Sequence, residues 1–326
     1  MPNKKIEERF AEAIQNLDSG KPILLIGNGI NRVNPESLSW EGVLKSLIEK
    51  SGVKNVRIGS KPLTFLFEEI SHKMEGGATR ENICRLKKHV RALIETKIKH
   101  GRIHEKFTSL PVENILTTNY DYCLEKSLNN DFVRQKINRE KNADFKKYSL
   151  VTHNEVQGKS IWHIHGELCN DVLTETGNEY SEQSIMLGFD QYLAYVDKIL
   201  KVFIEHANGK ETGMKNEKPG LDKTWLSFFF THDIHIIGLE FGLFESHLWA
   251  ILNFRAKLLD RNKCIHNNIF YYIPSYELLV KRDNLELLES LKINIEPVTC
   301  IFNNGNFYED FYDEVYNILQ KKLSSL

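Results

Sequence analysis

Along this chain, short unbroken apolar runs alternate with longer stretches in which apolar residues recur every three to four positions. At the start, Ile6, Phe10, Ile14 and Leu17 keep helical spacing and Gly20 supplies a stop, which predicts a helix covering one face of the segment after it. The run 22–26 is too brief for a helix and ends at Gly27, the pattern of a strand buried on both faces. Similar runs return at 114–117, 160–164, 234–237, 269–273 and 293–297. Helical periods fall over 61–74, 79–98, 188–206, 242–259, 276–290 and 308–323, the last with Phe311, Val315, Ile318, Leu319 and Leu323 on one stripe. Strands separated by helices predict an α/β fold with a mostly parallel, doubly wound sheet. The stretch 128–147, carrying Arg134, Lys136, Arg139, Lys141, Lys146 and Lys147, and the stretch 207–223 around Pro219 keep no period. Both read as solvated loops, with a lid or a docking surface for a partner protein as the alternative.

Composition narrows the partners. With 326 residues, 41% hydrophobic and 27% charged, the chain has the make-up of a globular protein, and disorder is excluded. Lys+Arg 43 against Asp+Glu 44 gives a net charge of -1, so no global field recruits nucleic acid or an anionic membrane. No apolar run approaches the roughly 20 residues of a spanning helix. The start, Met1 to Lys5, runs into a polar helix instead of a signal peptide's apolar stretch, so a cytoplasmic protein is expected. Five cysteines (Cys84, Cys123, Cys169, Cys264, Cys300) are scattered without the close pairing of a structural zinc site and read as reduced thiols.

Four segments carry candidate chemistry. Gly27-Asn28-Gly29-Ile30-Asn31 follows the first strand, where a turn free of bulky side chains lets backbone N–H groups approach a phosphate; a plain tight turn is the alternative. Thr117-Thr118-Asn119-Tyr120-Asp121 ends the second strand, so its side chains should emerge at the carboxyl edge of the sheet, where ligands bind in open α/β folds. Helix capping accounts for one or two of these polar residues, not for the whole run. Trp162-His163-Ile164-His165-Gly166 ends the third strand; period-two alternation puts His163 and His165 on one face, and Gly166 lets the chain turn so that His165 points into a cleft. Two such histidines also form metal-ligand pairs, but no third ligand lies at metal spacing. The turn Gly238-Leu239-Glu240 closes a fourth strand, with Glu240 placed either to bind ribose hydroxyls or to charge a helix N-terminus beginning near Leu243.

In this order the four segments resemble the sirtuin family, whose members share a glycine-alanine-glycine turn, a Thr-Gln-Asn-X-Asp motif, a His-Gly motif and a late Gly-Thr-Ser turn around NAD. The similarity spans 21 to about 250. The pattern is most similar to bacterial sirtuin-like proteins of antiphage defence, which destroy NAD in abortive infection and do not deacylate proteins. The resemblance implies a Rossmann-like core at 21–35 and 111–300, a helical insertion at 36–110 forming a smaller subdomain, and a C-terminal helix at 301–326, together one domain over 1–326. Asn28 and Asn31 stand where the family has alanine and serine, Thr118 where it has glutamine, and Glu240 where it has serine. The four-cysteine zinc module is missing, since only Cys169 lies in the polar stretch after His165, and that lowers the odds of a protein substrate.

By the same resemblance Asn119 orients the nicotinamide ribose and a water, and His165 is the general base. Asp121 holds the carboxamide, Thr118 belongs to the same motif, Gly27, Asn28, Gly29 and Asn31 line the pyrophosphate and adjoining ribose, and Gly238 with Glu240 contacts the adenosine ribose. The implied activity is an NAD glycohydrolase that uses NAD as substrate and no metal. Nicotinamide leaves NAD as a neutral molecule through an oxocarbenium-like state, so what the protein must add is geometry, an aligned water and a base, for which an imidazole is suited. Constant NAD destruction would poison the cell, so autoinhibition relieved by a separate regulatory protein or by homo-oligomerisation is expected. Three alternatives stay open: a protein deacylase or ADP-ribosyltransferase, a non-catalytic nucleotide sensor or scaffold, and a metal hydrolase built on His163 and His165.

Overall fold

The computed structural model describes residues 6–15, 17, 19–133, 150–168, 172–174, 177–179, 185–209, 220–242, 245–262, 265–300 and 306–324. Most of the two aperiodic stretches, together with Cys169, Cys264 and Leu243, lies outside them. The strands are β1 (Ile23–Ile26), β2 (Asn114–Thr117), β3 (Asn154–Val156), β4 (Lys159–His163), β5 (Val172–Thr174), β6 (Gly177–Glu179), β7 (Ile234–Ile237), β8 (Ile269–Pro274) and β9 (Asn294–Val298). The helices are α1 (Ile6–Ile14), α2 (Trp40–Ser51), α3 (Leu63–Lys73), α4 (Arg80–Lys97), α5 (Arg102–Ser109), α6 (Cys123–Leu128), α7 (Phe189–Ala207), α8 (Phe228–Thr231), α9 (Ser246–Asn262), α10 (Arg282–Ser290) and α11 (Phe307–Leu323).

Seven strands make one sheet in the order β3-β4-β2-β1-β7-β8-β9, parallel throughout except for β3, which pairs antiparallel with β4. Strands β5 and β6 form a separate antiparallel pair. Counted in chain order, the parallel strands lie 3-2-1-4-5-6 across the sheet, the arrangement of dinucleotide-binding folds, and the order reverses between β1 and β7. Burial explains why β1 reads as an unbroken apolar run. Its Ile23 and Leu25 join the core formed with α1, α7 and α9, while Leu24 and Ile26 join the core formed with α5 and α11.

A third apolar cluster gathers Val43, Leu44 and Leu47 of α2 with Leu66, Phe67 and Ile70 of α3 and Leu86, Val90 and Ile94 of α4. It meets the sheet's carboxyl edge through Tyr120, Leu168, Ile185 and Leu187. Helices α2 and α5 are additions to the elements expected from periodicity, although α2 has its signals: Ser39 Oγ accepts from Gly42 N–H at 3.1 Å, and Gly52 ends the helix at φ +71°. The period over 276–290 resolves into a short 3-10 turn at Ser275–Glu277 followed by α10, and the period over 242–259 shifts to Ser246–Asn262. No helix among the described residues is long and apolar enough to cross a membrane.

At the reversal point two loops touch backbone to backbone. Gly27 N–H donates to Ile237 O and Gly29 N–H to Gly238 O, each at 2.8 Å. A Cβ on Gly27 would stand 2.4 Å from Gly238 O, and one on Gly29 would stand 2.7 Å from Gly238 Cα. Gly238 itself turns at φ +66°. Gly27→Ala should therefore force the two loops apart and lower stability by about 2 kcal/mol or more, read as a reduced midpoint in chemical denaturation.

Candidate active site

Strand β2 delivers Thr117 to Asp121 onto the carboxyl edge, where the side chains of Thr117, Asn119, Tyr120 and Asp121 meet different neighbours. The Thr117 hydroxyl donates to Ile26 O at 2.9 Å and accepts from Asn119 N–H at 3.0 Å, pinning the chain to β1 as it leaves the sheet. Asn119 Nδ2 reaches Gly27 O only at 3.4 Å, and its Oδ1 is buried without a hydrogen bond among the described residues. A buried amide oxygen in this state is uncommon in a folded protein. The Tyr120 hydroxyl donates to Met186 O, and its ring meets the edge of Trp40. Asp121 Oδ1 accepts from the N–H of Cys123, the first residue of α6, at 3.0 Å, while the N-cap position itself is Tyr122, which makes no side-chain cap bond.

The other Asp121 oxygen reaches the glycine turn. The residues after Gly27 form a 3-10 helix, Asn28–Val33, which buries Asn31. Gly101 N–H donates to His104 Nδ1 at 3.2 Å, so the His104 proton sits on Nε2 and is donated to Asn31 Oδ1 at 2.9 Å. That fixes the Asn31 amide, whose Nδ2 then donates to Asn28 Oδ1 at 2.8 Å and to Asp121 Oδ2 at 3.0 Å. Burial pushes the His104 pKa down, against the pull of the Asp121 charge, in keeping with a neutral ring. Two segments 90 residues apart thus share one buried hydrogen-bond network.

The two histidines of the third segment part company. Strand β4 stops at His163, Gly166 N–H donates back to His163 O at 3.0 Å, and Gly166 turns at φ +89°. The strand's alternation therefore ends before His165, and the expected shared face is corrected. His163 lies against Asn119 O at 2.7 Å and Glu125 Oε1 at 2.8 Å. His165 is buried on the other side, its Nε2 3.0 Å from His247 Nε2 and 3.1 Å from Glu245 Oε2, its Nδ1 3.4 Å from the Tyr192 hydroxyl. Burial, with the neighbouring His165, pushes the His247 pKa well down. Glu245 Oε2 and His247 Nδ1 accept no hydrogen bond among the described residues. His165, Glu245 and His247, with ligand atoms within 4.8 Å of one another, are the residues that could hold a divalent cation. The pairing of His163 with His165 has no such geometry. Glu245, His247 and Tyr192 carried no sequence signal because each lies remote in sequence from His165.

Three adjoining cavities occupy the carboxyl edge. The largest, about 440 Å³, runs from the glycine turn, past Asn28, Gly29 and Arg32, to Gly238, Glu240 and Lys281. Asn119 lines a small cavity with Asn28, Thr118 and Asp121, and His165 lines another with Thr118, Tyr192 and Glu245. Trp40 and Thr118 line all three. Asn119 and His165, expected over one sugar carbon, thus line adjoining cavities. Trp40, brought in by the first residue of α2, is a wall common to both.

Known proteins match this chain in the same region. The SIR2-like domain family matches residues 113–292. The NAD(+) hydrolase ThsA of Enterococcus faecium is 26% identical over 212 residues, 64% of this chain, and the match spans 38% of that relative's length.

Asn31 is the shared member of the buried network, so Asn31→Ala should leave Asp121 Oδ2 and His104 without their partner. Urea denaturation should show a loss of about 2 to 3 kcal/mol.

Proposed function

The chain belongs to the SIR2-like domain family, and we propose that it hydrolyses NAD to nicotinamide and ADP-ribose. The observation that carries this is the Asn31 to Asp121 bond at the sheet's reversal point, which joins the glycine turn to the loop bearing Asn119 beside a groove of about 440 Å³. Gly29 lines that groove without a side chain, and Arg32 and Lys281 line it with cations suited to a diphosphate. Gly238, against the glycine turn, and Glu240 line the same groove, where a ribose would lie. The E. faecium relative supports the same reaction.

In this scheme Asn119 Oδ1 accepts from a ribose hydroxyl or from the attacking water, Asp121 holds the carboxamide, and Thr118 shapes the wall between the two. The bond from the ribose anomeric carbon to the nicotinamide nitrogen breaks, its electron pair leaves with neutral nicotinamide, and water adds to the carbon. His165 takes the water's proton. Support for a restrained state comes from Trp40, which borders the separate cavities of Asn119 and His165. A displacement of α2 by a partner protein or by assembly would merge them, the behaviour suited to an effector of antiphage defence. Chromatography of NAD and its products should show turnover falling at least about 100-fold in Asn119→Ala and His165→Ala. Trp40→Ala should raise the turnover of the isolated chain. Undiminished NAD loss in both catalytic variants would remove the assigned roles.

A second reading is favoured by the convergence of His165, Glu245 and His247: a metal-dependent hydrolase in which these three hold the ion. The two readings separate on elemental analysis of the purified chain. Metal-free protein is expected; stoichiometric zinc or iron that disappears in His247→Ala would favour the second.

A further inference from the structure

The nitrogens of His165 face residues that the chain delivers from far away in sequence. Nε2 lies 3.0 Å from His247 Nε2 and 3.1 Å from Glu245 Oε2, and Nδ1 faces the Tyr192 hydroxyl at 3.4 Å. Glu245 immediately precedes α9 and His247 is its second residue, so one short stretch supplies both. Backbone bonds hold that stretch: Glu245 N–H donates to Gly242 O and Trp249 N–H to Glu245 O, each at 3.0 Å. The side chains of His165 and Glu245 are 3% and 6% exposed, and His247 is fully buried. The rings of Tyr192 and Tyr195 flank His247 at 5.6 and 5.5 Å.

This spacing is close to that of a coordination shell. Ligand atoms bonded tetrahedrally to zinc at about 2.0 to 2.2 Å stand about 3.3 to 3.5 Å from one another. The two separations made by His165 Nε2 fall a few tenths of an ångström short of that, and all three residues offer ligand atoms within 4.8 Å of one another. A second observation points to a cation. Glu245 Oε2 is buried and accepts no hydrogen bond among the described residues, and a buried carboxylate oxygen needs donors or a metal to offset its lost hydration. Two imidazoles and one carboxylate suit zinc, whereas magnesium and calcium take oxygen ligands. An entry path exists as well, because Glu245 lines both the groove of about 440 Å³ and the small cavity of His165.

We propose that His165, Glu245 and His247 form a zinc site whose filling silences NAD hydrolysis, because the imidazole that would take the water's proton is then bonded to the ion. This rests on the base role proposed for His165. A metal-dependent hydrolase would use the same three residues with the opposite sign: there the ion is required, here it inhibits.

The test uses the full chain, stripped of metal by a chelator that is then dialysed away. In the first arm cobalt(II) is the spectroscopic probe and zinc its competitor. One equivalent of cobalt should give visible ligand-field bands of a low-coordinate site, and one equivalent of zinc should erase them. Glu245→Gln and His247→Ala should each weaken binding by more than about 100-fold, beyond the loss expected from an outer-shell partner. Absence of the bands, or a thiolate charge-transfer band that places the metal on cysteines, overturns the proposal. In the second arm NAD turnover is followed by chromatography without metal, with one equivalent of zinc, and after the chelator is returned. Zinc should lower wild-type turnover at least about 10-fold, the chelator should restore it, and magnesium should leave it unchanged. Each variant is compared with its own metal-free turnover, which zinc should no longer reduce. Glu245→Gln keeps the shape of the side chain, so it carries the test should thermal melting show that His247→Ala does not fold. Turnover that rises with zinc overturns the proposal in favour of the metal-dependent hydrolase, and inhibition that persists in a folded variant places the inhibiting ion elsewhere and overturns it too. If the wild type turns over no NAD with or without metal, the functional reading falls and the silencing role with it, while the cobalt spectra still decide whether the site exists.

Discussion

Everything at the carboxyl edge depends on the contact between two turns that have no side chains to keep them apart. Gly27 and Gly29 lie against Gly238 so closely that a single added carbon would overlap backbone atoms. The contact sits where the strand order reverses, so β1 and β7 send their chains away to opposite sides and leave a groove between them. The walls of that contact are peptide groups rather than side chains, and the N–H groups of Gly27 and Gly29 are spent on the carbonyls of Ile237 and Gly238. The same closeness carries Asn28 and Asn31 toward the loop after β2.

That loop distributes its ties over several elements. Thr117 is bound to β1, Asn119 to the end of β4 through His163, Tyr120 to Met186, and Asp121 to the glycine turn through Asn31. Such a loop has few ways to move without breaking buried polar bonds, each costly to leave unpaired. Among the described residues, its buried side-chain atom without a hydrogen bond is Asn119 Oδ1. Rigidity of the backbone combined with a free acceptor is what a site needs to orient a substrate that supplies its own leaving group.

The cluster of α2, α3 and α4 supplies the opposite quality. It reaches the edge by apolar contacts, by Trp40, whose ring meets Tyr120 edge-on, and by one buried hydrogen bond from Lys87 of α4 to Ile185 O. Apolar packing is not directional, so a shift of α2 breaks fewer specific bonds than a shift of the loop it covers. The helices over the edge are thus held largely by a different kind of interaction from the one that fixes the loop beneath them.

Much of this was written in the chain. A strand buried on both faces must be apolar at every position, so β1 announces itself, as do the long helices whose one buried stripe repeats with the helical period. The glycine turn and the polar run from Thr117 to Asp121 stood out by their place, each at the end of a buried strand. What the sequence did not determine was partnership. His165 could be seen to turn into a cleft, but nothing local says that Glu245 and His247 wait there, nor that His163, two residues away, faces a different carboxylate. Those pairings are set by how β4, α6 and α9 stack, and stacking is decided by the sum of many weak apolar contacts across the whole core, which no short stretch of residues encodes.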